Sequence, residues 1–429
     1  MTPHTGPSRI QHAGQCQIAV IWIDWYPYHL ARFNGLQSAA GINEVAGIEL
    51  VGGIGVHTGL QFREDRPDHL RIETLRPNSD WHNVSKLGLS ITLFRALSRL
   101  NPQVVLIPGY YTLPAFAAMA WTKLHRRTSV LMTETAAIDH LRIPWKERLK
   151  STVIRTMFDW AVTGGVAHVR YLQQLGFPSD RIAHFYDVVC NERIRTSTEA
   201  LRKSDSPQSH GLPQNYFLFV GRLAEEKNVR GLVEAWLNYR EKGGVWSLVL
   251  AGDGPERDAI SSLLAESPHR DDVRFMGHRS SRELIPCFAF ARCFVLPSTR
   301  EPWGLVVNEA MASSLPVIVS KKCGCVEDLV IDRVNGLIFD PEEDGALVNC
   351  LQKISSLASD QLPVWGTRSA HRIASYTPRD FGEQISRILT WSKVQRAKQA
   401  ASQRSLPAPG HSIRADRPNA TPDTAERVG

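Results

Sequence analysis

Short apolar runs alternate with longer stretches of helical periodicity through most of the chain. In the first half, the strand candidates are Ile18–Ile23, Glu49–Val51, Val104–Ile107, Ser129–Met132 and Ala161–Thr163. Helical patterns separate these runs, among them Trp81–Leu100 and Trp145–Trp160. Continuous apolar strands separated by helices indicate a parallel sheet that is covered on both faces.

The same rhythm restarts after a polar segment of low periodicity. The apolar and helical segments of the second half are, in order, Tyr216–Val220, Leu223–Tyr239, Ser247–Ala251, Arg257–Leu264, Val273–Met276, Cys293–Leu296, Asn308–Ser313, Pro316–Val319 and Gly336–Phe339. Two tandem sets of βα units predict an α/β protein with two Rossmann-like, doubly wound parallel-sheet domains that face a central cleft. Ligands of such sheets bind at the carboxyl ends of the strands.

The changes of pattern also predict the domain boundaries. The N-terminal domain is expected at 15–195, a linker at 196–214 and the C-terminal domain at 215–375. Residues 376–396 are expected to form a C-terminal helix that packs back on the N-terminal domain. Residues 397–429 are rich in Ala, Ser, Pro and Arg without hydrophobic periodicity, and are predicted to be disordered.

Composition narrows the class of protein. The chain has 429 residues, of which 43% are hydrophobic and 22% charged, as in an ordinary globular protein. Its polar N-terminus lacks the apolar region of a signal peptide, and its most apolar window, Val104–Trp121, is interrupted by proline and glycine. Seven cysteines without a Cys-x-x-Cys pair are expected to be free thiols, which predicts a cytoplasmic location.

The formal charge of +7 bears on possible partners. Nucleic-acid binding is not expected, because neither an aromatic–basic ribonucleoprotein motif nor zinc-finger spacing accompanies the excess. Binding of phosphate-bearing small molecules or of an anionic membrane surface explains the excess of positive charge at least as well as nucleic-acid binding does. The helical segment Trp145–Trp160 has an apolar stripe among basic residues. It is expected either to cover the sheet with a solvated basic face or to rest on an anionic membrane surface.

Candidate chemistry concentrates in the second half, first after the strand that ends near Val220. Gly221 lets the chain turn, and Arg222 and Lys227 follow five residues apart before a helix that begins near Asn228. Both cations can reach one anion, the arginine as a bidentate fork and the lysine as a point charge. Alternatively, they are the solvated charges of an ordinary strand–helix turn.

Two further strand ends carry polar residues. Asp253 and Gly254 belong to a Gly-Asp-Gly turn that permits close backbone approach but is a weak signal alone. Glu301 follows the strand Cys293–Leu296, and Gly304 is expected to begin the next helix, whose free amides and dipole favour a phosphate. Glu309, farther along that helix, can accept hydrogen bonds from paired hydroxyls such as those of a ribose.

With these segments in this order, the sequence resembles the retaining group 1 glycosyltransferases, which have the two-Rossmann GT-B fold. The matching segments are FVGRLAEEKNV, LVLAGDGPE, the run from Val273 to Ser320, and Asn335–Pro341. The resemblance implies that the donor diphosphate is held by Arg222, Lys227 and the backbone amides of Gly304 and Leu305.

The resemblance also implies contacts with the rest of a nucleotide-sugar donor. Glu301 would contact the hydroxyls of the sugar, Glu309 the ribose, and the backbone near Gly277 the nucleobase. Gly221, Asp253 and Gly254 are assigned to the same donor site. Trp303 stands where the family usually has phenylalanine, a change expected to alter the sugar pocket and to leave the phosphate contacts intact.

The acceptor side is less clear, because the histidine that many members carry after the fourth N-terminal strand is absent. Glu134 is the candidate there for contact with the transferred sugar, or else an ordinary loop carboxylate at a helix start. In the loop after the first strand, His29 and Arg32 are candidates for acceptor binding or proton transfer, with their polar groups toward the cleft. The alternative is a packed aromatic loop with a surface cation.

The resemblance implies transfer of a hexose-type sugar from a nucleoside-diphosphate sugar to a glycan or lipid-linked acceptor, in polysaccharide or glycolipid biosynthesis at the cytoplasmic membrane face. No cofactor and no metal are expected. The chain contains no Asp-x-Asp pair, and two cations with a helix N-terminus can meet the charge of the departing diphosphate. A sugar-nucleotide epimerase of the same fold and a non-catalytic nucleotide-sugar-binding module remain as alternatives.

Overall fold

The computed structural model describes residues 16–53, 70–137 and 142–404. Two parallel sheets form its framework. The strands of the first sheet are β1 Ile18–Trp22, β2 Val45–Glu49, β3 Ile72–Thr74, β4 Val104–Pro108, β5 Thr128–Thr133, β6 Trp160–Thr163 and β7 Ile182–Ala183. The strands of the second are β8 Tyr216–Val220, β9 Ser247–Ala251, β10 Val273–Gly277, β11 Cys293–Leu296, β12 Val317–Ser320 and β13 Gly336–Phe339.

Helices connect the strands and cover both sheets. Those of the first half are α1 Pro27–Ser38, α2 Lys86–Leu100, α3 Leu113–Leu124, α4 Pro144–Met157, α5 Val166–Gln174 and α6 Asn191–Ser204. Those of the second half are α7 Val229–Glu241, α8 Arg257–Ala265, α9 Ile285–Phe290, α10 Leu305–Ala312, α11 Val326–Leu329, α12 Ala346–Ser355, α13 Gln361–Ile373 and α14 Pro378–Arg404. None of the described helices is long and apolar enough to cross a bilayer.

The strand order places one topological switch point in each sheet. The first sheet runs β3-β2-β1-β4-β5-β6-β7 and the second β10-β9-β8-β11-β12-β13, with parallel pairing throughout. The order reverses between β1 and β4 in the first sheet and between β8 and β11 in the second. Loops beyond the carboxyl ends of such neighbouring strands diverge and leave a crevice for a ligand. The prediction of two doubly wound α/β domains is confirmed.

The C-terminal helix belongs to the core of the N-terminal domain. Phe381 and Ile385 of α14 are buried among the residues of one face of the first sheet. Helices α1 and α14 approach closely where both have glycine: a Cβ atom on Gly35 would lie 1.9 Å from the carbonyl oxygen of Pro378, and one on Gly382 would lie 2.2 Å from that of Gly35. The chain therefore returns to the first domain after completing the second.

Several boundaries differ from the sequence-based expectation, among them the following three. Residues 196–204, predicted as linker, form the second half of α6, because Ile194 and Thr198 are buried one turn apart and the Arg202 guanidinium binds the carbonyl of Ser313 at 2.5 Å. Trp160 begins β6 and does not extend the preceding helix, which ends where Phe158 becomes extended. Helix α14 continues to Arg404, into the tail predicted as disordered, and residues 405–429 lie outside the described residues.

Candidate functional site

The two loops at the β8/β11 switch point are tied to each other. The backbone amide of Thr299 donates to the carbonyl of Glu226 at 3.0 Å, and the Asn228 side-chain amide donates to the carbonyl of Pro297 at 3.2 Å. Asn228 has a left-handed backbone, with φ 52°, and ends the loop where α7 begins. These contacts hold the residues after β8 against those after β11.

Lys227 and Glu301 meet across this loop pair. The Lys227 ammonium donates to the Glu301 carboxylate, which also accepts from the Ser298 hydroxyl at 3.3 Å. The Glu301 backbone is anchored from the next loop, because the amide of Gly324 donates to its carbonyl at 2.9 Å. The Glu301 side chain is largely buried and keeps only 9% of its full solvent exposure. The carboxylate is therefore held in place before a ligand arrives.

Arg222 lies at the mouth of the same crevice. Its guanidinium is half-exposed and binds the Glu226 carboxylate at 2.6 Å. Burial opposes ionisation of Glu226, but the hydrogen bond and charge of Arg222 outweigh it, so the pKa of this carboxyl is below its usual value. An anion entering the crevice competes with Glu226 for the guanidinium.

Helix α10 points its N-terminus into the crevice. Gly304 is its N-cap and has φ 101°, a left-handed conformation that a side chain would strain. The first amides of a helix have no carbonyl partner within it, and their dipoles sum to a partial positive charge. Gly304, Leu305 and Val306 therefore present the kind of site that binds a phosphate group.

Glu309 lies farther along α10 and reaches the same space. Its side chain is partly exposed at the crevice wall. Burial raises the pKa of its carboxyl to about 7, and the nearby Arg193 guanidinium offsets part of that effect. Near neutral pH the Glu309 carboxyl is therefore present in both its protonated and its ionised form.

All of these groups line one cavity of about 800 Å³ between the two domains. The opposite wall includes helix α1, with Tyr28, Asn34 and Ser38. The residues predicted for the donor site that line the cavity are Gly221, Arg222, Lys227, Glu301, Gly304, Leu305 and Glu309. The structure therefore brings seven of the predicted donor-site residues around one space.

The remaining three donor-site candidates, Asp253, Gly254 and Gly277, follow β9 or end β10 and do not line this cavity. Asp253 is exposed, and its carboxylate accepts from the amide of Gly254 at 2.8 Å. A Cβ atom on Gly254 would lie 2.4 Å from the carbonyl oxygen of Leu223, so this glycine allows the two loops to pack together. Gly277 accepts from the amide of Gly252 at 2.8 Å, and the residues just after it, His278–Ser281, line the cavity.

Arg32 does not face the cleft as the sequence suggested. Its side chain is fully buried, and its guanidinium binds the Asp187 carboxylate at 3.1 Å. The Tyr186 ring lies 4.1 Å from its central carbon and the Tyr28 ring 5.0 Å away. The counter-charge comes from a residue 155 positions along the chain, so the local sequence could not reveal it.

His29 and Glu134 also lie on the N-terminal side of the cleft. The His29 ring is buried and stacks on Trp22 with a centroid distance of 4.6 Å. Glu134 is half-buried close to Asp187. Burial, and then the charge of Glu134, raise the pKa of Asp187 well above its usual value, against the opposing effect of Arg32. Arg32, Asp187 and Glu134 thus form one buried charge cluster beside the cavity.

Asp187 is also one link between the domains that the sequence did not point to. Its carbonyl accepts from the Asn308 side-chain amide of α10 at 3.0 Å, while its carboxylate holds Arg32 of α1. The Trp303 indole donates to the same Asn308 at 3.0 Å and is itself buried. Trp303 therefore supports the start of α10 from behind and does not line the cavity. No local pattern around Asp187 marks this role.

The comparisons with known proteins agree with this arrangement. Residues 202–379 match the family model described as glycosyl transferases group 1. The chain is 26% identical over 178 residues to alpha-D-kanosaminyltransferase of Streptomyces kanamyceticus, covering 41% of this chain and 46% of that protein. It is 34% identical over 184 residues to O-antigen chain mannosyltransferase B of Escherichia coli, again covering 41% and 46%. The matched region thus spans about half the length of these curated relatives.

A solved structure extends the likeness to the whole fold. The Anabaena protein HepE, determined in complex with UDP and glucose, superposes with a TM-score of 0.64 and 16% sequence identity, covering 90% of this chain and 100% of that one. At this identity the likeness concerns the fold alone. Residues 202–379 are thus similar to the group 1 glycosyltransferases, and the two domains have the GT-B fold.

Proposed function

We propose that the protein transfers a hexose-type sugar from a nucleoside-diphosphate sugar to a glycan or lipid-linked acceptor, in polysaccharide or glycolipid biosynthesis. The observation that carries the proposal is the convergence of Arg222, Lys227, the Gly304 end of α10 and two carboxylates on one cavity. The names of the relatives, a kanosaminyltransferase and a mannosyltransferase, support a sugar as the transferred group. The UDP in the Anabaena protein supports a nucleotide donor.

The charge at the crevice suits a departing diphosphate. When the bond between sugar and phosphate breaks, negative charge grows on the leaving group and must be met by donors that are already in position. Lys227 and the first amides of α10 are held in place by the loop contacts, and Arg222 completes the set once it releases Glu226. These groups support transfer without a metal ion, and metal independence stays a prediction.

The carboxylates suit the two ends of the donor. Glu301 shares the Lys227 ammonium and projects from the loop beyond β11, where it can accept hydrogen bonds from sugar hydroxyls. Glu309 lies farther along α10 and lines the same cavity, and we assign it to the ribose that follows the diphosphate. The acceptor would enter from the α1 side. Retention of anomeric configuration rests on the family resemblance, and the anomer of the product, determined by NMR, tests it.

The direct test measures release of nucleoside diphosphate from a panel of nucleotide sugars, with and without a glycan or lipid extract. Lys227→Met should lower the turnover by about 10²–10³-fold, the cost of losing one preorganised donor to a developing anion. Lys353→Met removes the same charge at an exposed position of α12 and should leave turnover unchanged. Equal activity of the two variants would contradict the proposed leaving-group site.

The same assay separates the alternatives. An epimerase would isomerise the sugar, or release nucleotide, without any acceptor, whereas a binding module would be stabilised thermally by a nucleotide sugar and release nothing with any extract. Excess chelator in the complete reaction should leave the rate unchanged. Loss of activity that Mg²⁺ or Mn²⁺ restores would refute metal independence and leave the transferase proposal standing.

A further inference from the structure

Helix α4 packs on the N-terminal sheet by its C-terminal half alone. The structure describes all residues of this helix. Ile154 is fully buried, and Val153 and Met157 are partly buried against the core. Nearer the start of the helix, Trp145 is 63% exposed and Leu149 is 60% exposed. A helix that merely covers a sheet buries its apolar stripe along its length. The first half of α4 instead turns an apolar stripe outward.

The loop before α3 continues this apolar surface. Tyr111 is 76% exposed, and so are Leu113, the first residue of α3, and Ile143, the N-cap of α4, to a lesser degree. The loop lies beside α4, since the Lys150 ammonium is 5.9 Å from the centre of the Tyr110 ring. We call the following five residues the rim patch: Tyr111, Leu113, Ile143, Trp145 and Leu149. Both segments follow the carboxyl ends of strands, at the edge of the sheet where the cleft opens.

Positive charge surrounds the rim patch. The carboxylate of Glu147, the acidic residue of α4, accepts hydrogen bonds from the Lys150 ammonium at 2.7 Å and the Tyr171 hydroxyl at 2.6 Å. Lys146 and Arg148 are exposed on either side of the apolar stripe, and no carboxylate of the described residues forms an ion pair with them. The patch thus combines exposed Trp, Tyr and Leu side chains with cations that no described carboxylate neutralises.

We propose that the rim patch docks on the surface of an anionic lipid bilayer. An amphipathic helix with Trp and Leu on one side and Lys and Arg beside them inserts its apolar face at the headgroup boundary, while its cations bind anionic headgroups. A second copy of the chain fits less well, because a twofold contact would bring Lys146 and Arg148 against the same cations of the partner. The bilayer supplies both the apolar depth and the negative charge.

Docking at this edge places the acceptor side of the cavity beside the membrane. Strand β4, which leads to Tyr111, pairs with β1, which leads to the α1 residues of the cavity wall. The inference goes beyond the proposed transfer reaction, since it concerns where the enzyme works and does not depend on the donor chemistry. It would nonetheless give the cavity access to an acceptor that is embedded in lipid.

Flotation of the full-length protein with vesicles tests the proposal. The protein should float with vesicles of phosphatidylcholine and phosphatidylglycerol at 70:30, and about tenfold less with phosphatidylcholine alone, because each nearby Lys or Arg favours an anionic surface by about 1 kcal/mol. Trp145→Ala with Leu149→Ala, and separately Lys146→Gln with Arg148→Gln, should each weaken binding to the mixed vesicles roughly tenfold.

Matched changes elsewhere serve as controls. Val245→Ala with Ile331→Ala removes exposed apolar side chains of the C-terminal domain, and Arg230→Gln with Arg333→Gln removes exposed cations there. Both pairs should bind vesicles like the wild type. Wild-type protein that stays unbound, or patch variants that float as well as the controls, would overturn the proposal. So would a dimer in sedimentation that the patch variants dissociate.

The patch variants should keep the wild-type release of nucleoside diphosphate from a water-soluble acceptor reaction, since they lie outside the cavity. Loss of flotation with intact turnover therefore supports the docking surface by itself. Intact flotation of a wild-type protein that turns over no nucleotide sugar would refute the proposed reaction and leave the docking inference in place.

Discussion

The partly buried carboxyl of Glu309 should make the stability of the protein fall as the pH rises. Burial raises its pKa from 4.5 to about 7, so the folded state binds this proton more tightly than the unfolded state. A group whose pKa is raised on folding contributes stability that is fully present below its unfolded pKa and is lost as the pH rises through the folded pKa. The window therefore runs from about pH 4.5 to about pH 7.

The size of the effect follows from that shift. A shift of about 2.5 pKa units corresponds to about 3.4 kcal/mol in total, of which about 2.5 kcal/mol falls between pH 5 and pH 8. Glu309→Gln removes the titration and keeps the shape of the side chain. Between pH 5 and pH 8, the free energy of unfolding of the wild type should therefore fall by roughly 2–3 kcal/mol relative to this variant.

Guanidinium unfolding of both proteins at several pH values measures this difference, and other titrating groups cancel in the comparison. Arg193 favours the ionised form of Glu309, so Arg193→Gln should steepen the loss of stability with pH. Glu192→Gln makes the same chemical change at an exposed position of α6 and should leave the pH dependence as in the wild type. Parallel curves for the wild type and Glu309→Gln would refute the reasoning.

Three further variants test the packing around the site. Asp187→Ala removes the carboxylate that binds the buried Arg32 guanidinium, so the free energy of unfolding, measured by chemical denaturation, should fall by about 3–5 kcal/mol. Adding Arg32→Met should recover part of this loss, whereas additive losses would contradict a coupled pair. Gly35→Ala places a Cβ atom 1.9 Å from a carbonyl oxygen of α14 and should lower the free energy of unfolding by about 1–3 kcal/mol. As a control, Gly88→Ala in α2 meets no atom closer than 3.4 Å and should not lower it. Gly304→Ala strains a backbone with φ 101° and should weaken the binding of UDP, measured by calorimetry, by about 1–3 kcal/mol. Unchanged affinity for UDP would exclude the α10 amides from the site.

The grouping of the residues assigned to the donor was predictable because its information is local. A strand, a turn and a helix start follow one another within a few residues after both β8 and β11, and the parallel sheet then brings the two loops together. The sequence therefore identified Arg222, Lys227, Glu301 and the start of α10 as neighbours. Asp253 and Gly254 do not line the cavity, and a Gly-Asp-Gly turn has the same pattern whether it packs against another loop or faces a ligand, so their assignment to the donor stays a prediction.

The acceptor side was not predictable, because its contacts are distant in sequence. Arg32 is held by Asp187, and Asp187 in turn by Asn308, and no periodicity records either partner. The second half of α6 was missed for a similar reason, since Arg202 satisfies its charge on backbone carbonyls of the C-terminal domain. Charged residues that are buried by tertiary contacts look like linker residues in the sequence.

The return of α14 to the first domain also determines the order in which the protein can fold during synthesis. The ribosome releases the strands of the first sheet early, yet one face of that sheet remains only partly covered, by α1, until Phe381 and Ile385 have been made. The second sheet and its helices form one uninterrupted stretch of chain and can reach their native packing sooner. The half of the protein that is translated first should therefore be the half that is completed last.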